Sequence, residues 1–183
     1  MCRNRFKQSA AAAFCLLLIV VAAPARAADS NAFAISSVAF APGAAIAARF
    51  SCDGANGSPP LTWSNIPERT KSFALIVSDP DAPSGTFFHW VIFNLPGAAR
   101  GLPAGIAKTG SLAQGGDQGI NSFHQIGYNG PCPPRGSMHH YHFKLYALDS
   151  MLELKPGATV DAVGSAASGH VLATAELVGI FGH

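Results

Sequence analysis

Several signatures of catalysis and of nucleic-acid binding are missing from these 183 residues. There is no Gly-x-Ser-x-Gly elbow, no His-Glu-x-x-His pair and no Cys-x-x-Cys, and no serine stands in a context that marks a nucleophile, which argues against the common hydrolase and redox chemistries. Basic residues are few. Arg3, Arg5, Lys7 and Arg26 crowd the N-terminal stretch, and without them eight basic residues face ten acidic ones. The net charge is then about −2. No basic stripe interleaved with aromatics is left, which argues against nucleic acid and against electrostatic adhesion to anionic membranes. Beyond the N-terminal stretch no apolar run approaches the length of a bilayer span. Internal repeats and a second domain are absent as well.

What stands at the start is a leader. Arg3, Arg5 and Lys7 precede an apolar run over residues 10–23, and Ala25-Arg26-Ala27 supplies a small-x-small cleavage site. This pattern predicts a secretory signal peptide over residues 1–27 and an exported, periplasmic or secreted protein with one domain, residues 28–183, and no transmembrane segment. The alternative is an uncleaved N-terminal anchor. Cys15 lacks the small-residue context of a lipid-attachment site. Cleavage removes Cys2 and Cys15 and leaves Cys52 and Cys132 in an oxidising compartment, where two thiols in Gly- and Pro-rich loops are expected to pair. Such a bridge closes a loop of about eighty residues and is worth about 4 kcal/mol in the chain-entropy picture. Two separate buried thiols are the competing possibility.

The rest reads as strands. Trp63 sits in a short one, Phe73-Ala74-Leu75-Ile76-Val77-Ser78 has the continuous apolar character of a strand buried on both faces, and residues 89–95 and 139–148 alternate with period two. Residues 97–136 carry many Gly and Pro without periodicity and predict an extended connection with little regular structure. Val163, Ala167, Val171, Leu172 and Ala175 have helix-compatible spacing, which predicts a helix over 160–175 interrupted near Gly169, with 177–181 as a short closing strand. The sum is a mainly β, antiparallel domain.

Two rigid segments precede the alternating runs. Asp79-Pro80-Asp81-Ala82-Pro83 leads to His89, and Gly127-Tyr128-Asn129-Gly130-Pro131-Cys132-Pro133-Pro134-Arg135-Gly136 leads to His139. Alternation puts His139, Tyr141, Phe143 and Leu145 on one face and His140, His142, Lys144 and Tyr146 on the other, and gives His89 the face of Val91 and Phe93, the apolar set, so that it should point inward. A buried His89 needs a partner, and Asp79 is the natural candidate, fixing the tautomer and favouring an imidazolium suited to phosphate or carboxylate oxygens. Tyr141 adds a phenolic donor, and the Asn129–Cys132 turn can add backbone amides. Asp81 reads as structural, accepting from the loop backbone. Taken singly, Asp79 and Asp81 beside prolines are ordinary turn formers and His89 an ordinary satisfied histidine. His140 and His142 read as surface or second-sheet residues, and His124, His170 and His183 carry no usable pattern. Phe87, Phe88 and Trp90 either wall a pocket or pack in the core.

Together with Phe50-Ser51-Cys52-Asp53-Gly54, Ser58-Pro59-Pro60-Leu61-Thr62-Trp63 and residues 143–149, these motifs resemble the phosphatidylethanolamine-binding protein family, also called Raf kinase inhibitor-like proteins, and its bacterial branch in particular. The resemblance implies an antiparallel β-sandwich of two sheets with a few short peripheral helices. It also implies an anion pocket made by Asp79, Pro83, His89, Gly130, Cys132, His139 and Tyr141, a cis Ala82–Pro83 bond and no cofactor. In place of the Arg that the family commonly carries between the second pocket His and the Tyr, this chain has His140. The function so implied is binding, not catalysis: an anionic ligand such as a phospholipid headgroup, or a partner protein presenting such a group, with inhibition of a partner as one outcome. Other classes are a hydrolase using Asp79 with His89, or a metal held by Asp79, His89 and His139; an inhibitor of a secreted hydrolase; and an interaction protein with a vestigial pocket.

Overall fold

The apolar run after Ser72 becomes the centre of the larger of two sheets. In a computed structural model that describes Met1 and residues 31–183, strand β3 (Ser72–Asp79) lies between β4 (Phe87–Pro96) and β7 (Met138–Leu148). The five-stranded sheet runs β6-β4-β3-β7-β8, with β6 at Asp117–Gln118 and β8 at Val171–Gly182. A three-stranded sheet pairs β1 (Ala34–Ser36), β2 (Leu61–Ser64) and β5 (Gly101–Leu102). Every pairing between named strands is antiparallel. Residues 31–183 cluster as one unit, and the leader expected over residues 1–27 lies outside the described residues.

Both faces of the large sheet are covered, which is why β3 has an unbroken apolar run. Its inner face, with Phe73, Leu75, Val77, Trp90, Ile92, Tyr141, Phe143 and Leu145, packs in one core with Ile35, Leu61, Trp63 and Leu102 of the small sheet. The sandwich expected from the sequence is what this makes. The outer face presents Ala74, Val91, Phe93 and Leu148 to Leu152 and to Val163 and Ala167 of helix α1 (Val160–Ala167). Thr159 caps that helix by accepting a hydrogen bond from Ala162 N at 3.2 Å.

One expectation about an element is corrected and another holds. The helix ends at Ala167 instead of continuing to 175: Gly169 takes φ +81°, and Val171, Leu172 and Ala175 join a twelve-residue strand paired along β7. Helix-like apolar spacing over a few small residues is weaker than the full ladder of hydrogen bonds available there. Within 97–136 only β5 and β6, two residues each, are strand, so the aperiodic reading holds.

A second correction positions the site: His89 points inward as expected, but not on the face of Val91 and Phe93. Val77 pairs with Trp90 but Ser78 pairs with Phe88, so His89 is the extra residue of a β-bulge. Strict alternation would send His89 to the outer face with Val91 and Phe93. The bulge turns it inward, where its ring meets Tyr141 edge-on at 5.2 Å between centroids. Re-aiming one side chain is the characteristic effect of a bulge.

Candidate functional site

Asp79 ends β3 and organises the turn that follows. Its Oδ1 accepts from Asp81 N at 2.9 Å, and Gly85, at φ +99°, closes the turn by donating from N to Ala82 O at 3.1 Å. No described peptide bond is cis, so Ala82–Pro83 is trans, contrary to the expectation from the family resemblance. The reversal is supplied by the carboxylate and by the positive φ of Gly85, and an X–Pro bond then keeps its lower-energy isomer.

The partner of Asp79 also differs from expectation. Asp79 Oδ2 accepts from His139 Nδ1 at 2.8 Å, with both side chains buried. The β3–β7 register explains this: Ser78 faces His142, so Asp79 comes level with Tyr141 and is a same-face diagonal neighbour of His139. His89 instead donates from Nδ1 to Asn129 O at 2.8 Å. A carbonyl only accepts, so the neutral ring carries its proton on Nδ1 and its lone pair on Nε2. That Nε2 is buried without a hydrogen-bond partner, and His89 is only 2% exposed. Burial lowers the His89 pKa below the ordinary histidine value, with the Asn129 carbonyl and the Asp79 charge opposing. Tyr141 Oη is the second buried polar atom without a hydrogen bond. Burial, and after it the Asp79 charge, pushes its phenol up, while the Cys132 amide pulls the other way.

These groups converge on a cavity of about 260 Å³ whose wall includes Asp79, Pro83, His89, Cys132 and His139. That volume suits a headgroup or a small oxyanion better than a drug-sized molecule. Five of the seven pocket residues expected from the sequence therefore line one cavity. Tyr141 lies against His89 without being part of the lining. Gly130 does not line it either, and its amide is not available: Gly130 N donates to Asn56 Oδ1 at 2.6 Å. Asn129 N is likewise committed to His89 O at 3.0 Å, and Pro131 has no N–H. The row of free amides expected in this turn is thus reduced to that of Cys132. The role of Gly130 is space, since a Cβ there would sit 2.1 Å from Phe50 O. The Cys52–Cys132 bridge expected from the compartment is formed and ties this wall to the loop after Phe50.

Sequence reasoning missed Phe123, Ser84, Pro133 and Pro134 in the lining. Phe123 packs on Phe87 at 4.8 Å and on His89 at 5.5 Å, so Phe87 is a wall residue while Trp90 is core, bonded from Nε1 to Gln118 Oε1 at 2.7 Å. The signal that could have found Phe123 is Asn121, whose Oδ1 accepts from Phe123 N and Gln125 N in an Asx turn that aims the ring. His140 is more than a surface residue. It donates to Asp81 Oδ2 from backbone N at 2.8 Å and from Nδ1 at 2.7 Å, holding the Asp81 carboxyl below its usual range and bracing the loop. A cavity of similar volume beside α1 is lined chiefly by Ala74, Ile76, Val163, Ala167 and Val171, with Tyr146 and Ser168 as its polar side chains and no charged or imidazole group.

Known proteins are similar to this chain in sequence and fold. A family profile described as phosphatidylethanolamine-binding protein matches residues 36–182. A UPF0098 protein from Methanothermobacter thermautotrophicus is 50% identical over 136 residues, covering 74% of this chain and 89% of its own length. LppC from Mycobacterium tuberculosis, provisionally designated a lipoprotein, is 45% identical over 163 residues, covering 86% of this chain and 75% of its own. The crystal structure of E. coli YbcL, described as a member of the mammalian PEBP family, superposes with a TM-score of 0.77 at 35% identity, over 82% of this chain and 98% of that one. The fold, the motifs and these matches agree: the chain belongs to the phosphatidylethanolamine-binding protein family.

Proposed function

We propose that this chain is an exported binding module that holds a phosphate- or carboxylate-bearing group, free, on a lipid headgroup or on a partner protein, in the cavity between Asp79, His89, His139 and the Cys132 loop. The observation that carries the reading is the buried His89 Nε2, which belongs to the cavity wall and has no hydrogen-bond partner. Buried polar atoms are nearly always satisfied, and one left open at a cavity marks a place where a ligand supplies the missing bond. Asp79 contributes indirectly: it anchors His139 through Nδ1, leaving the other nitrogen for a ligand, and its charge favours the imidazolium form of His89.

An anion needs donors. His89, held neutral by burial, becomes one when Nε2 takes a proton, and an entering anion stabilises that proton. Binding is therefore linked to proton uptake and strengthens as pH falls through the histidine range. Export rests on residues 1–27 and is supported by the lipoprotein designation of one relative. A mass of the purified protein that places its first residue near Ala28 is expected; an intact residue 1 would contradict cleavage. Among the described residues no helix is long and apolar enough to cross a membrane. A binding role is in keeping with the family.

Thermal unfolding with phosphate, O-phosphorylethanolamine and acetate tests the reading. A ligand at a hundred times its Kd stabilises by about 2.7 kcal/mol, an upward shift on the order of 5–10 °C for a domain of this size. The shift is expected to vanish in His89→Ala and His139→Ala. No shift with any anion would sink the proposal.

A further inference from the structure

Beside the Cys52–Cys132 bridge, Cys52, Asp53 and His183, none of which lines the anion cavity, form a second cluster. Both cysteines are exposed, so a reductant can reach them. Ligand atoms of Cys52, Asp53 and His183 all lie within 4.8 Å of one another. His183 Nδ1 is 2.9 Å from both Asp53 oxygens, and its Nε2 donates to Pro133 O at 2.7 Å. The backbone is fixed too, since His183 O accepts from Gly136 N at 2.8 Å.

With the bridge closed, this is an ion pair that fastens the end of β8 to the cavity loop. Both ring nitrogens face acceptors, a carboxylate and a carbonyl, so both carry hydrogen. The same geometry has a second use. A metal-bound histidine normally donates its other N–H to a carbonyl or carboxylate, which fixes ring and tautomer, and the Nε2 to Pro133 bond already does this. The proton between Nδ1 and Asp53 stands where a cation can replace it.

We propose that opening the Cys52–Cys132 bridge turns this cluster into a zinc site with four ligands: Cys52 Sγ, Cys132 Sγ, an Asp53 oxygen and His183 Nδ1. A dithiol reductant supplies two electrons and two protons and leaves as its own cyclic disulfide; the S–S bond becomes two thiols. Zn²⁺ then displaces both thiol protons and the Nδ1 proton, three in all, while Nε2 keeps its hydrogen on Pro133 O. Two thiolates, one imidazole and one carboxylate form a set that zinc accepts in tetrahedral geometry. Zinc–sulfur bonds of about 2.3 Å separate two such sulfurs by about 3.8 Å. The cysteine Cα atoms, 5.4 Å apart, permit that after side-chain rotation alone.

The test uses the purified exported protein, oxidised or reduced with a dithiol and then freed of reductant under nitrogen. Zinc is titrated against a chromophoric chelator, and Co²⁺ serves as the spectroscopic probe. One zinc per reduced chain is expected, with thiolate-to-cobalt charge transfer in the near ultraviolet, and none per oxidised chain. His183→Ala and Asp53→Ala keep both cysteines and are expected to weaken zinc binding by about 10–100-fold or more. Zinc held equally by the oxidised protein, or by reduced His183→Ala, overturns the proposal. Should reduction unfold the chain, zinc is expected to restore its circular dichroism in the wild type and not in His183→Ala, and failure to restore it also overturns the proposal.

Discussion

Replacing Asp79 by Asn probes the centre of the site with almost no change in volume. The carboxylate is 3% exposed and accepts two hydrogen bonds, from Asp81 N at 2.9 Å and from His139 Nδ1 at 2.8 Å. An amide has one oxygen, so one of these donors is left facing an NH₂ group. Losing a buried hydrogen bond to a charged group costs about 1.5–3 kcal/mol. At 2–4 °C per kcal/mol, the midpoint is expected to fall by about 3–12 °C. Phosphate affinity is expected to fall with it, since His139 loses its anchor and its favourable charge. Pairing Asp79→Asn with His139→Gln in a double-mutant cycle isolates the bond, and a coupling of about 1 kcal/mol or more is expected for groups in direct contact. An unchanged midpoint with zero coupling would refute the pairing on which the site is built.

Gly130→Ala is expected to destabilise by about 2–4 kcal/mol, because the added methyl meets Phe50 O at 2.1 Å and Ser51 Cα at 2.8 Å, both backbone atoms that cannot swing away. Chemical denaturation checks it, and a wild-type midpoint would contradict the close approach. The lowered His89 pKa carries a pH signature: the unfolded chain takes up a proton at its ordinary value before the folded one does, so stability contributed by neutral His89 is present above about pH 6.5 and lost as pH falls below it. The slope is expected to flatten in His89→Gln, and saturating phosphate is expected to offset the loss in the wild type; identical pH profiles for the two proteins would contradict a buried neutral ring.

Much of this was legible in the sequence, and the exceptions have definite causes. Alternation along β7 put His139 and Tyr141 on the buried face and His140 and His142 on the other, because an eleven-residue strand between two neighbours has no freedom to slip. That His89 points inward was legible, but not that it parts from the face of Val91 and Phe93: a bulge is set by pairing with β3, and nothing in residues 87–93 announces it. Nor was the exchange of partners, in which Asp79 takes His139 and Asn129 O takes His89, since both imidazoles are plausible neighbours of one carboxylate and only register decides. Gly130 looked like a donor and is a spacer, a distinction that needs the positions of Phe50 and Asn56, 80 and 74 residues earlier in the chain. The strand over 171–175 was hidden because its small apolar residues fit a helix as readily as a ladder.

The most direct test of the anion pocket is calorimetric titration of the protein with O-phosphorylethanolamine at neutral to slightly alkaline pH, in buffers that differ in ionisation enthalpy. Because His89 Nε2 offers only a lone pair until it is protonated, the account predicts saturable binding with uptake of about one proton per site. The same titration of His89→Ala is predicted to lose that uptake along with most of the affinity. Binding of equal strength without proton uptake, or heat that is unchanged in His89→Ala, would contradict the account.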